Sequence, residues 1–281
     1  MTVCIGAICE RGRAVIVATD RMWTSHDLSI QYEYPEPKIE ELSSKCVAAI
    51  AGSVVLPTEA IERVKEKVQR EGIQNISDIA YALKDEYSKE RIKRVNDEIF
   101  APRGITIYDF YRGGLQQRLD SGLVQMLDSE VIRYAFDLVI LVGGIDVRGG
   151  HLYVIFPPGR IEPFDRVGYA AIGTGQPHAF YTFILESYTP SLPLEEALYL
   201  VYKAKKVAER APGVGMYTDM VVITEKGIRF LTDELMDKLQ KTYEREMSIV
   251  VNRSEVIKNL KESVSKLKKE VGLAHDPSLS L

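Results

Sequence analysis

The sequence predicts an α+β protein of four layers, an αββα sandwich in which two β-sheets stack face to face with a helix pair outside each. Two observations predict it. Short β-branched runs and longer amphipathic segments follow one another in the order strands, helices, strands, helices, strands. At 281 residues and 46% hydrophobic, the chain can bury a full core, and this layering covers every apolar face it offers.

Taken in order, Val3–Ile8 and Ala14–Thr19 are short strands joined by the polar turn Glu10-Arg11-Gly12, which reads as a hairpin. Residues 21 to 37 are polar and aromatic. Pro35 and Pro37 impose extended backbone before Lys38, so a loop or edge strand is expected. Cys46–Gly52 is a buried strand. Pro57-Thr58-Glu59 opens an amphipathic helix with Ile61, Val64 and Val68 on one face, and Ser77-Asp78 is expected to cap a second, carrying Ile79, Leu83 and Tyr87. Between 99 and 129 the periodicity fails at Pro102, Gly104, Gly113-Gly114 and Gly122, and an inserted excursion that could act as a lid is expected.

The second half repeats the plan. Asp137–Gly143, His151–Phe156 and Val167–Ile172 read as strands, Gln176–Tyr188 and Leu194–Glu209 as helices, and Met220–Thr224 with Ile228–Leu231 as a closing hairpin. From Thr232 the chain is charged and almost free of glycine and proline up to Gly272. Leu260, Val264, Leu267 and Val271 recur at spacings that predict a long C-terminal helix, packed on its own domain or in a coiled-coil contact with a neighbouring subunit. The expected division is therefore 1–231 for the layered domain and 232–281 for a helical extension.

Composition excludes several functions. No run approaches the ~18 apolar residues of a membrane-crossing helix, and a net charge of -4 with pI about 5.7 makes no electrostatic case for nucleic acid or an anionic membrane. Cys4, Cys9 and Cys46 are an odd set inside apolar runs, which reads as buried thiols in a reducing cytoplasm. No two of His26, His151, His178 and His275 share metal-ligand spacing, so neither a metal nor any other cofactor is expected.

Thr2, the Gly6 strand, Ala18-Thr19-Asp20-Arg21, Lys38-Ile39, Ile50–Val54, Gly143-Gly144-Ile145-Asp146, Gly173-Thr174-Gly175 and Leu194-Glu195-Glu196-Ala197 together resemble proteasome β subunits. The resemblance runs from about Thr2 to Leu231, interrupted by the 99–129 excursion. It implies the Ntn (N-terminal nucleophile) hydrolase sandwich, and a chain start without signal or propeptide, so that removal of Met1 exposes Thr2.

The implied chemistry is peptide-bond hydrolysis with Thr2 as nucleophile. A threonine hydroxyl needs an adjacent base, and its own α-amine, which ordinarily titrates at ~7.7–8.0, sits close to working pH. The resemblance puts Lys38 beside the hydroxyl, Asp20 against that lysine, and the Gly52 amide where an oxyanion forms. The Lys38-to-Gly52 spacing of fourteen agrees with the family register. Thr174 takes the place of the family's turn serine, while Trp23, Ile50 and Val54 fall where the match puts an apolar specificity pocket. Polypeptide substrate and a homo-oligomer, in ring form, are implied as well.

The chain departs from the family at three places. The aspartate and serine that flank the terminal amine fall, by register, on Ala211 and Val214. Two extra residues separate Gly12 from Asp20, for which a β-bulge is expected. These departures keep two further readings open, a non-catalytic scaffold and an Ntn amidohydrolase or transpeptidase with a narrower substrate.

Overall fold

The computed structural model describes residues 2–25, 30–52, 57–135 and 138–248, together with Val264. Its strands are β1 (Cys4–Cys9), β2 (Ala14–Thr19), β3 (Met22–Ser25), β4 (Ile30–Glu33), β5 (Ile39–Ser43), β6 (Cys46–Gly52), β7 (Leu138–Asp146), β8 (Gly149–Phe156), β9 (Arg160–Pro163), β10 (Tyr169–Ile172), β11 (Asp219–Thr224) and β12 (Gly227–Phe230). The helices are α1 (Pro57–Glu71), α2 (Ile76–Val95), α3 (Ile107–Tyr111), α4 (Ser121–Arg133), α5 (Gln176–Leu185), α6 (Leu194–Ala208) and α7 (Asp233–Ser248). Two compact units meet in sequence at Asp233/Glu234, and α7 lies almost wholly in the second.

Two antiparallel five-stranded sheets organise the first unit, ordered β10-β1-β2-β11-β12 and β5-β6-β7-β8-β9, with β3 and β4 as a separate two-stranded ribbon. Strand β6 shows why both faces of a sheet are buried. Val47, Ala49 and Ala51 join Cys4, Val15, Val17 and Val221 of the other sheet in one core, whereas Cys46, Ala48 and Ile50 point the other way, into a core with Ile61 and Val64 of α1 and Ile79 and Leu83 of α2. The period of two along the strand thus serves two different apolar partners. Helices α5 and α6 pack on the first sheet, α6 against β1 and β2 and α5 against β10.

The excursion is more ordered than its sequence suggests. A π-helical turn, Asn96–Phe100, extends α2, and α3 and α4 follow. Thr106 and Asp109 form a capping box on α3, and Asp120 accepts from the amides of Gly122 and Leu123 to start α4. Phe100, Phe110, Leu127 and Val131 make a small core of their own with Val95. Gly122 does not break α4 because it lies in the first turn, where amide hydrogens have no partner within the helix.

Three expectations are corrected. No bulge separates Gly12 from Asp20. The β1–β2 register runs without a shift from Cys9↔Ala14 to Cys4↔Thr19, and the turn at Glu10–Gly12 precedes it with all three residues at positive φ. The amino end of α2 is not capped by Ser77 or Asp78. The Ile76 amide donates to Asp146 Oδ2 at 3.0 Å, a carboxylate 70 residues away. Strands β5 and β9 were not expected, being short and mixed in polarity.

Asp146 also belongs to a polar cluster at the β7–β8 turn. His151 Nδ1 lies 2.7 Å from Asp165 and Nε2 lies 3.1 Å from Asp146, which also binds Arg148. Burial works against the charged form of Asp146, but Arg148, the Ile76 amide and His151 outweigh it and hold its carboxyl well below the usual range. The hydrogen bond to Asp165 raises the imidazole's proton affinity.

Helix α7 carries an i,i+4 pair, Lys238–Glu234, at 2.6 Å. Leu260, Leu267 and Val271 lie outside the described residues. Among the described residues no helix is long and apolar enough to cross a membrane, and no group of three or more His, Cys, Asp or Glu could hold a metal ion.

Candidate active site

The chain start is held between the two sheets. The Asp20 amide donates to the Val3 carbonyl at 3.2 Å, so the β1–β2 pairing runs one step past β2 and leaves the Asp20 side chain beside Thr2. Thr2 is tied on its other side to the β10–α5 turn. The Gly175 amide donates to the Thr2 carbonyl at 3.2 Å, and Gly173, at φ +90°, packs so closely that a Cβ there would collide with that carbonyl oxygen. Thr174 Oγ1 accepts from the Thr2 nitrogen at 3.1 Å and donates to the Thr2 carbonyl at 3.2 Å.

Lys38 arrives from the second sheet, immediately before β5. Its ammonium donates to Thr2 Oγ1 at 2.5 Å, to Asp20 Oδ1 at 3.2 Å and to the Met22 carbonyl. The Thr2 hydroxyl donates in turn to Asp20 Oδ1. Thr2, Asp20 and Lys38 are all buried, so these charges interact with little solvent screening. Asp20 is otherwise satisfied by two backbone donors, Val3 N at 3.2 Å and Gly215 N at 2.7 Å.

The neighbouring thiol does not compete with the hydroxyl. Burial pushes the Cys4 thiol far up, against the pull of Lys38, and its Sγ donates to the Ile50 carbonyl at 3.3 Å. That contact also sets the start of β1 beside the end of β6, where Gly52 stands at φ +110°. Cys9, on the same strand, is pushed up to about 12, chiefly by burial, and the three cysteines are free and buried.

The residues singled out from the sequence separate into those the fold brings together and those it does not. Thr2, Asp20, Lys38 and Thr174 share direct hydrogen bonds. Trp23 sits on β3, its ring 5.3 Å from that of Tyr34, and the Ile50 side chain lies in the core beneath α1 and α2. Val54 lies outside the described residues. Ala211 and Val214 are buried and bring no polar group to the site.

Sequence reasoning passed over Lys205, Gly215 and Glu33. Lys205 is fully buried on α6 and donates to Glu209 Oε1 at 2.5 Å and to the carbonyls of Gly215 and Met216 at 2.9 and 2.8 Å. Burial lowers its proton affinity. Glu33 accepts from the amides of Met216 and Tyr217 at 2.5 and 3.1 Å. A lysine at an apolar helix position was the available signal for the first. Nothing local marks the other two.

Similarity to known proteins agrees with this architecture. Residues 121–223 match the family model described as proteasome subunit. The chain is 34% identical over 139 residues to proteasome subunit beta 1 of Korarchaeum cryptofilum, covering 48% of this chain and 66% of that one. It is 43% identical over 91 residues to proteasome subunit beta 2 of Pyrobaculum calidifontis, 32% and 43% of the two lengths. With proteasome subunit beta of Archaeoglobus profundus the identity is 29% over 174 residues, 59% and 78% of the lengths. The chain thus spans under two thirds of the length of the first two relatives.

The family match implies a fold of the Ntn αββα class, to which the antiparallel sheets and flanking helices correspond. Within that class, the family match and these relatives support a proteasome β-subunit-like family of Ntn hydrolases.

Proposed function

We propose that this protein is an amino-terminal threonine hydrolase that cleaves peptide bonds, with Thr2 as nucleophile once Met1, and anything encoded ahead of it, has been removed. The observation that carries the reading is the Lys38 ammonium 2.5 Å from Thr2 Oγ1, held by a carboxylate that also contacts the hydroxyl. A cation at that distance favours the alkoxide over the alcohol.

In the proposed reaction the freed α-amine takes the hydroxyl proton as Oγ1 attacks the substrate carbonyl carbon. Thr174 orients that nitrogen, and the Gly52 amide donates to the oxyanion, an interaction worth about 2.7–4 kcal/mol in other hydrolases. Collapse of the tetrahedral species passes the proton from the ammonium to the leaving amine and leaves an ester on Thr2. Water, activated by the same amine, then releases the acid. Trp23 and Val54 give the substrate pocket an apolar character, whereas Ile50 is turned away into the core beneath α1 and α2. The αββα domain extends over 1–231 and the helical extension over 232–281, and the protein works as a homo-oligomeric ring that confines its sites.

Intact-mass and terminal-peptide mapping tests the reading, with a peptidyl electrophile that reacts with a hydroxyl and an adjacent amine together. The peptide beginning at Thr2 is expected to gain the electrophile's mass, and Thr2→Ala to abolish the gain. Intact Met1 in functional protein sinks the proposal. A second reading, a non-catalytic scaffold, is favoured by one observation, that the buried residues at the positions where the family register puts the amine's polar partners are the apolar Ala211 and Val214. It expects wild type and Thr2→Ala to be indistinguishable.

A further inference from the structure

The segment from Ala211 to Tyr217 links α6 to β11 and supplies Gly215, whose amide is a direct ligand of the Asp20 carboxylate at 2.7 Å. Its own buried side chains, Ala211 and Val214, cannot orient it by hydrogen bonding. Gly215 must also stay in place sterically. A Cβ there would collide with Glu33 Oε1 and lie 3.1 Å from Met22.

Charges on both sides hold the segment instead. On the solvent side the Glu33 carboxylate accepts from two successive amides, Met216 and Tyr217. On the interior side the Lys205 ammonium donates to two successive carbonyls, Gly215 and Met216. The cation and the anion therefore grip opposite ends of the same peptide dipoles. An ammonium has three N–H donors, and Glu209 Oε1 takes the third, so Lys205 is fully satisfied while completely buried. A side chain serving packing alone would do better as an aliphatic, since burial disfavours an ammonium.

We infer that Lys205 is a positioning residue for the Thr2 centre: by fixing the Gly215 and Met216 carbonyls it sets the Gly215 amide against Asp20, and through Asp20 the Lys38 ammonium and the Thr2 hydroxyl. This rests on the reading of Thr2 as nucleophile. Lys205 touches neither Thr2 nor a substrate. It acts along the path Lys205, Gly215, Asp20, Lys38. The charged groups facing it are Glu209 at the C-cap of its own helix, Lys206 on that helix, and Asp20 just past the end of β2. In place of the polar side chains that the family register puts at 211 and 214, this chain stabilises the same segment from beneath.

Lys205→Met is the informative substitution. It keeps the length of the aliphatic stem, and it leaves Glu209 paired, because Lys206 lies 2.6 Å from Glu209 Oε2. Lys206→Met is the control, removing a cation from the same carboxylate without touching the segment. Two measurements are made on the full chain, hydrogen exchange in the peptide covering residues 214–217 and the concentration dependence of Thr2 labelling by the peptidyl electrophile. Lys205→Met is expected to exchange faster there and to lose about 10–100-fold in the saturating labelling rate. Its half-saturating concentration should stay within about twofold of wild type, a split that a general loss of structure would not produce. Lys205→Gln, with shorter donors, is expected to fall between and serves if the methionine variant does not fold. Lys206→Met should match wild type in both measurements.

A wild type that labels at Thr2 while Lys205→Met exchanges or labels at the same rate overturns the inference alone. A wild type that does not label overturns the nucleophile reading, and the catalytic consequence of Lys205 with it.

Discussion

Removal of the Lys38 charge is the most direct probe of the buried centre. Lys38 and Asp20 have side chains 6% and 0% exposed and approach to 3.2 Å. In Lys38→Ala the Asp20 carboxylate stays buried and loses its cation, a change that costs about 3–5 kcal/mol where one partner of a buried pair is deleted. Asp20 retains the amides of Val3 and Gly215 and the Thr2 hydroxyl as donors. The expected loss is therefore at the lower end, about 3 kcal/mol. For a domain of this size each kcal/mol moves the melting temperature by about 2–4 °C, so the shift is about 6–12 °C.

Differential scanning calorimetry at neutral pH and constant protein concentration reads it. Lys38→Met combined with Asp20→Asn removes both charges and should be more stable than Lys38→Ala, although neither variant should label at Thr2. A Lys38→Ala protein that melts within about 2 °C of wild type, or a double variant no more stable than it, refutes the view of this pair as a buried charge with its counter-charge.

Two further outcomes are expected away from the site. His151 binds its proton more tightly in the folded chain than its ordinary value of 6.5, because Asp165 and Asp146 face it. Its stabilising contribution is therefore complete below about pH 6 and is lost as pH rises through the higher folded value. The melting difference between wild type and His151→Gln should be largest in mildly acidic buffer and shrink toward alkaline pH. Phe110 is fully buried in the small core of the excursion, its ring 5.2 Å from Phe100. Phe110→Ala should remove about 3–5 kcal/mol locally, seen as rapid limited proteolysis between 96 and 135, with the main melting transition nearly unmoved.

The strands of the two central hairpins and the helix pairs were legible because each repeats a local period. Ala14–Thr19 and Cys46–Gly52 are β-branched or small and, apart from Thr19, apolar, and Ile61, Val64 and Val68 recur at helical spacing. Thr2, Asp20 and Lys38 were legible as candidates through a resemblance carried by several motifs in order. The α4 helix was hidden by glycines whose cost depends on where in a helix they fall. The cap of α2 was hidden because its carboxylate, Asp146, lies on another element.

By itself the sequence determined the alternation of strands and helices, the resemblance to a family, and the residues that could serve as nucleophile, cation and carboxylate. Tertiary structure alone decided what else holds them: that Lys38 also donates to the Met22 carbonyl, and that Asp20 is held by the Gly215 amide. It also decided that a fully buried Lys205 holds the segment carrying that amide. The physical reason is one of range. Propensity and periodicity act over a few residues along the chain, whereas Coulomb and hydrogen-bond energies act over a few ångströms in space. Residues 2, 20, 38, 174, 205 and 215 come within that distance only when the sheets close on one another.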